Sequence, residues 1–162
     1  MRNWLPRPEI WFGLAAVVIG LDQATKLWVL AAFQPQESLA VLSFFDLVLV
    51  FNAGAAFSFL AGAGGWQKWF FVALAFVISA WIAVMLRRHA RDTLQSFALA
   101  LVMGGALGNV VDRLRFGAVV DFLDFHVAGW HWPAFNVADS AITVGVLLLV
   151  LHSFIHKEMA HE

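Results

Sequence analysis

The chain has 162 residues, of which 62% are hydrophobic and 13% charged, with a mean hydropathy of +0.80 and a formal net charge of -1. Soluble domains carry about 25% charged residues, so this composition describes an integral membrane protein with one bundle over residues 1–162, and the charge gives no support to a nucleic-acid partner. Cysteine is absent, which excludes disulfides, thiolate metal sites and cysteine nucleophiles.

The first apolar stretch, from Ile10 to Leu21, follows Arg2 and Arg7 in the manner of a signal peptide. The next residues, "DQATKLWVLAAF", offer no small-x-small cleavage site and the apolar character resumes after Lys26, so an uncleaved first span over 10–33 is expected. Asp22 and Lys26 are four apart, acid first, on one face of that helix. Their alternatives are a self-neutralising structural pair and a role at a site, and the spacing alone leaves both open. A second stretch, 39–62, is long enough to cross but holds Asp46, Asn52 and two glycines. Its Val and Phe content suits extended structure at the membrane surface.

Further spans are expected over 68–86, 94–112 and 137–155, each near the 20 residues a helix needs to cross the hydrocarbon. With four spans and a cytoplasmic amino terminus, Arg2, Arg7, Arg87, Arg88, Arg91 and Lys157 lie inside, and Lys68, Arg113 and Arg115 outside. A five-span arrangement removes that bias. Trp4, Trp11 and Trp81 then fall near the inner boundary, and Trp28, Trp66, Trp69, Trp130 and Trp132 near the outer one. The long connections, 34–67 and 113–136, both face outward, and loops of this length usually carry function.

Polar groups gather at that outer end. Gly104 and Gly108 form a small-residue face for close helix packing, and Asn109, Asp112 and Arg113 follow them. By itself the Asp112–Arg113 pair reads as a snorkelling cluster at the interface. From Val119 to Val127 the residues alternate as in a strand. Asp121 then shares a face with Val119, Leu123, Phe125 and Val127, while Asp124 shares the other with His126. A carboxylate among apolar neighbours has a raised pKa and is the more suspicious of the two. Asn136 and Asp139 open the last span, where an acid suits the helix dipole or performs chemistry. Ser140 lacks a nucleophile elbow, and His152 and His156 lie at the cytoplasmic end and read as interfacial.

Two aspartates on separate elements at the membrane rim fit an aspartic protease pair, one protonated and one ionised, which needs no metal or cofactor. A small proton-coupled transporter is the competing class, and a non-catalytic assembly subunit a third. The blocks "LDQATK", "FNAGAAFSF", "GGALGNVVDR", "VVDF" and "FNVADSAIT", in this order and spacing, resemble the lipoprotein signal peptidase (signal peptidase II) family across residues 21–143. The resemblance implies an all-α membrane bundle of four transmembrane helices with small extended elements on the periplasmic side. It implies a multi-pass enzyme of the bacterial inner membrane with both termini cytoplasmic, which removes the signal peptide from diacylglyceryl-modified prolipoproteins before the lipidated cysteine. Block by block, Asp121 and Asp139 become the catalytic pair. Asn52, Gly54, Asn109, Arg113 and Asn136 become site-supporting or substrate-contacting positions, and Asp22 and Lys26 match the first block. Membrane lipid and globomycin-type inhibitors are implied partners; no metal and no cofactor are implied.

Overall fold

The structure is a computed structural model that describes residues 7–54, 60 and 62–159, with side chains through Ile155. Arg2, Trp4, residues 55–59 of "FNAGAAFSF" and the side chains of His156 and Lys157 lie outside the described residues. In chain order the elements are α1 (Pro8–Ala32), β1 (Ser38–Leu42), β2 (Phe45–Asn52), α2 (Gln67–Arg88), α3 (Thr93–Phe116), β3 (Val119–Val127), β4 (Trp130–His131) and α4 (Val137–Met159).

All four helices are long and apolar enough to cross a membrane, and they match the four expected spans. Within the 39–62 stretch, residues 39–42 and 45–52 are extended instead, as the Val and Phe content suggests, in β1 and β2. Its helix-length apolarity does not make it a span, because Asp46 and Asn52 find partners in the sheet rather than on a helix. α3 continues past residue 112 to Phe116, so Asn109, Asp112 and Arg113 project from a helix. It stops where Gly117 takes a left-handed φ of 79° and returns its N–H to the Arg113 carbonyl.

α3 is the central helix, packed chiefly on α4 and α1 and then on α2. Glycines set how close the partners come. A Cβ at Gly104 would lie 2.7 Å from Val18 Cβ and 2.8 Å from the Ala15 carbonyl, both on α1. A Cβ at Gly108 would meet Asp22 Oδ2 at 2.8 Å. On the other face, Gly105 abuts the Ala138 carbonyl of α4, and Gly145 of α4 would meet the Ala98 carbonyl at 2.7 Å. The small-residue face expected at Gly104 and Gly108 is therefore the α1 interface, and Gly105 and Gly145 add a second one.

One end of the bundle closes on a cluster that includes Trp11, Ile82, Leu86 and Leu99, where Trp11 Nε1 donates to the Ala90 carbonyl at 3.0 Å. Trp11 is thus buried rather than an interfacial anchor, whereas Trp28, Trp66, Trp69, Trp81 and Trp130 are exposed. His152 Nε2 meets Asp92 Oδ2 at 2.6 Å, so it clasps α4 to the cap of α3 instead of merely facing the interface. At the other end the four strands form an antiparallel sheet in the order β1-β2-β3-β4. Val29 of α1 and Phe33 at its C-terminal cap pack beneath it against Leu49, Val120 and Phe122. The expected β3 boundaries are those observed, yet Val119, Val120, Asp121 and Phe122 are all buried. Only the half from Leu123 to Val127 departs from continuous burial; in the first half Val120 and Phe122 pack with Val29 of α1.

The glycine contacts yield a direct expectation. Gly105→Ala should destabilise the bundle by about 1–3 kcal/mol, the usual cost of overpacking, because the obstacle is backbone. Gly13→Ala, which meets open space, should leave stability unchanged or raise it through helix propensity. Thermal unfolding in detergent followed by tryptophan fluorescence separates the two; equal midpoints would contradict this account of α3–α4 packing.

Candidate active site

The polar residues at the sheet end of the bundle converge on a cavity of about 660 Å³. Asn52, Gly54, Asn109, Arg113, Asp121 and Asp139 line its polar end. Phe71, Leu74 and Ile78 of α2 and Ile142 and Val144 of α4 line the remainder. A largely apolar chamber with a few convergent polar groups is the form of a ligand site.

Asp121 reaches the cavity from β3. In the β2–β3 ladder Val50 faces Asp121 and Asn52 faces Val119, so Asn52 is the diagonal neighbour of Asp121 on the same face. Its Nδ2 donates to Asp121 Oδ2 at 3.2 Å, and its Oδ1 accepts the Gly54 N–H at 2.9 Å. Asp121 therefore does not sit on a purely apolar face, as alternation suggests; its immediate partners are amides. It is nevertheless 2% exposed, and burial, reinforced by the charge of Asp139, pushes its carboxyl from 3.8 up to about 7. Hydrogen bonds from Asn52 and Asn136 and the charge of Lys26 oppose that rise.

Asp139 arrives on the first turn of α4. Asn136 accepts the Asp139 N–H through Oδ1 at 2.9 Å, and its own N–H donates to Asp139 Oδ2 at 3.3 Å. This reciprocal pair is a capping box built from Asn and Asp. Because Asn136 Oδ1 is committed to the cap, its Nδ2 turns to Asp121 Oδ1 at 2.7 Å. One amide thus joins the two aspartates. Asn109 Nδ2 adds a bond to Asp139 Oδ1 at 2.8 Å. Capping and a place in the cavity are not alternatives for Asp139: the same carboxylate caps the helix and faces the cavity.

Arg113 is 9% exposed, not snorkelling, since α3 carries it inward. Its Nη2 donates to the Gly54 carbonyl at 2.8 Å, and its guanidinium stacks 4.9 Å from the Phe71 ring. Among the described residues its Nε has no hydrogen-bond partner. Asp112 departs further from expectation: it is 1% exposed and pairs with Lys26 at 2.8 Å. Asp22 and Lys26 form their expected pair at 2.9 Å, but behind the cavity rather than in its lining. Asp124 faces away and binds His131 at 2.8 Å, while His126 takes Asp46 at 3.1 Å. Ser140 donates to the Asn136 carbonyl, a bond to backbone rather than to a base. Residues missed by the sequence reading are Gln23, Asp112 as a buried partner of Lys26, and Phe71. The available signal for the first two was their place inside the "LDQATK" and "GGALGNVVDR" blocks.

Residues 14–155 match the family model described as signal peptidase (SPase) II. The chain belongs to the signal peptidase II family. Among its relatives, the lipoprotein signal peptidase of Paraburkholderia phymatum is 58% identical over 140 residues, covering 86% of this chain and 84% of the relative. That of Ralstonia nicotianae is 56% identical over 141 residues, covering 87% and 82%. A solved structure described as a bacterial membrane enzyme superposes with a TM-score of 0.84 at 28% identity, covering 98% of this chain and 94% of the other. Membership of signal peptidase II makes the chain a multi-pass membrane peptidase and sets aside the transporter and assembly-subunit readings.

The raised Asp121 pKa predicts a pH signature of stability in this signal peptidase II chain. Between 3.8 and about 7 the folded state retains a proton that the unfolded state has released. The Asp121 contribution therefore falls as pH rises through that window and is level above it. The midpoint advantage of Asp121→Asn over wild type should grow from pH 4 to pH 7 and then stay constant. A difference that does not vary with pH would show that Asp121 ionises normally.

Proposed function

We propose that the chain is an aspartic endopeptidase that removes the signal peptide from diacylglyceryl-modified bacterial prolipoproteins, cutting just before the lipidated cysteine. Asp121 and Asp139 are its catalytic pair. The observation that carries this reading is Asn136 joining two carboxylates from separate elements, with its side-chain amide on Asp121 and its backbone N–H on Asp139, at the polar end of an apolar cavity.

Two neighbouring carboxylates in a dry site hold one proton between them. The ionised member takes a proton from water as the water oxygen bonds to the scissile carbonyl carbon. The protonated member donates to the carbonyl oxygen, giving a neutral gem-diol. Its collapse breaks the C–N bond, with a proton passing to the departing cysteine nitrogen. Proton exchange returns the pair to its starting state. No metal or cofactor enters these steps. Arg113 Nε and the Asn52 amide are donors for an extended peptide backbone, which must have its polar groups satisfied away from bulk water. The apolar walls suit the signal-peptide helix and the acyl chains. Lipid contacts and globomycin-type inhibitors belong to the same reading, the inhibitor competing for the cavity.

Under this proposal the enzyme sits in the bacterial inner membrane with both termini cytoplasmic and the cavity at the periplasmic face. The charge distribution favours that orientation: Arg87, Arg88 and Arg91 flank the turn between α2 and α3, opposite the sheet.

Asp121→Asn and Asp139→Asn should each lower kcat by about 10²–10⁴-fold, the span of a lost general acid or base, while the protein still inserts and folds. Asp124→Asn, whose partner is His131 outside the cavity, should cleave within about threefold of wild type, a change small on that scale. Cleavage of a synthetic precursor peptide in detergent reads all three, and robust activity in either catalytic variant sinks the assignment.

The lipid requirement is separately testable. A buried methylene contributes about 0.8 kcal/mol, so a diacylglyceryl group fixes its cysteine at the membrane surface and sets the depth of the adjacent bond. Unlipidated precursor should show a much lower kcat/KM than the lipidated form. Similar values for the two would mean that the peptide alone positions the bond.

A further inference from the structure

Behind the cavity lies a cluster that touches no substrate-accessible surface. Asp22, Lys26 and Asp112 are 0%, 1% and 1% exposed. Lys26 Nζ sits 2.9 Å from Asp22 Oδ2, 2.8 Å from Asp112 Oδ2 and 2.9 Å from Asn109 Oδ1. Its three protons thus have three acceptors. Gln23 Nε2 ties the two acids together, at 3.2 Å from Asp22 Oδ2 and 2.9 Å from Asp112 Oδ1.

Each acid also accepts one backbone amide, and the choice of amides is the informative feature. Asp22 Oδ1 accepts the N–H of Ala138 at 2.9 Å, and Asp112 Oδ2 accepts the N–H of Val120 at 3.0 Å. Ala138 immediately precedes Asp139, and Val120 immediately precedes Asp121. The third acceptor of Lys26, Asn109, donates through its remaining amide hydrogens to Asp139.

We propose that Asp22, Lys26 and Asp112 are positioning residues that set the separation of the two catalytic aspartates, each acid gripping the amide next to one of them. The proposal rests on the catalytic assignment of Asp121 and Asp139. Lys26 is the link: it holds both acids on one ammonium, and by claiming Asn109 Oδ1 it turns Asn109 Nδ2 towards Asp139. A structural role alone is met by the Asp22–Lys26 pair, which is already neutral. The second acid adds a further buried carboxyl group, an arrangement that costs energy relative to apolar packing. What Asp112 adds is an acceptor for the β3 backbone beside Asp121, and a tie between β3 and α1 through Lys26.

Asp112 is the residue to vary, because its removal leaves the neutral Asp22–Lys26 pair intact and the bundle able to fold. Asp112→Ala, Asp112→Asn and wild type are compared in detergent with a synthetic precursor peptide carrying a diacylglyceryl cysteine, with thermal unfolding recorded alongside. Asn keeps an oxygen for the Val120 N–H; Ala does not. Asp112→Ala should lose roughly a hundredfold in kcat, the usual result of a displacement near 1 Å, with KM within threefold of wild type. Asp112→Asn should recover to within about tenfold of wild type. The proposal is overturned if Asp112→Ala keeps wild-type kcat, if the loss falls on KM, or if Asn and Ala lose activity equally in step with their unfolding temperatures. Asp121→Asn and Asp139→Asn run in parallel. Activity in these two defeats the catalytic assignment, whereas their inactivity with a fully active Asp112→Ala defeats the positioning role alone.

Discussion

An ammonium ion buried in a membrane bundle must find an acceptor for each of its three protons, since the cost of removing it from water is several kcal/mol. Lys26 meets that demand with Asp22, Asp112 and Asn109. Two of these acceptors belong to α3 and one to α1, so satisfying the charge fixes the relative depth of two helices. The acids then reach beyond the helices to amides of β3 and α4. Four elements are held in register by one charge, and three of them, α3, β3 and α4, contribute walls to the cavity.

That arrangement depends on how closely α1 and α3 approach. Gly108 stands against Asp22, and any side chain there would occupy the place of the Asp22 carboxylate. Gly104 does the same one turn earlier against Val18. Close packing through glycine is the general means of associating helices where the hydrophobic effect gives no drive. Here it also brings Lys26 within reach of Asn109 and Asp112.

The helices and the main site residues were legible because their signals are local. Apolar length marks the spans, and alternation from Val119 to Val127 marks β3 at its observed bounds. The resemblance of five short blocks to a known family named the cavity-lining residues Asn52, Gly54, Asn109, Arg113, Asp121 and Asp139. Partnerships were not legible, because they join residues far apart in the chain. Asp112 next to Arg113 looks like an interfacial cluster until α3 proves to run on to Phe116 and α1 supplies Lys26. His126 was expected on one face with Asp124, but the chain alone did not show that Asp46 from β2 bonds His126 and that His131 from β4 bonds Asp124. Asp121 looked lone among apolar residues because Asn52 and Asn136 come from elements that alternation within β3 says nothing about.

Asn136 caps α4 with its oxygen and holds Asp121 with its nitrogen, so winding the first turn of α4 and assembling the carboxylate pair are a single event. A chain with α1, α2, α3 and the sheet in place but α4 undocked has Asp121 without its counterpart. On the proposed reading, such a chain is hydrolytically silent. On the same reading, because α4 is the last of the four helices to be synthesised, peptide-bond cleavage begins only after the bundle has closed, and the site stays latent until then.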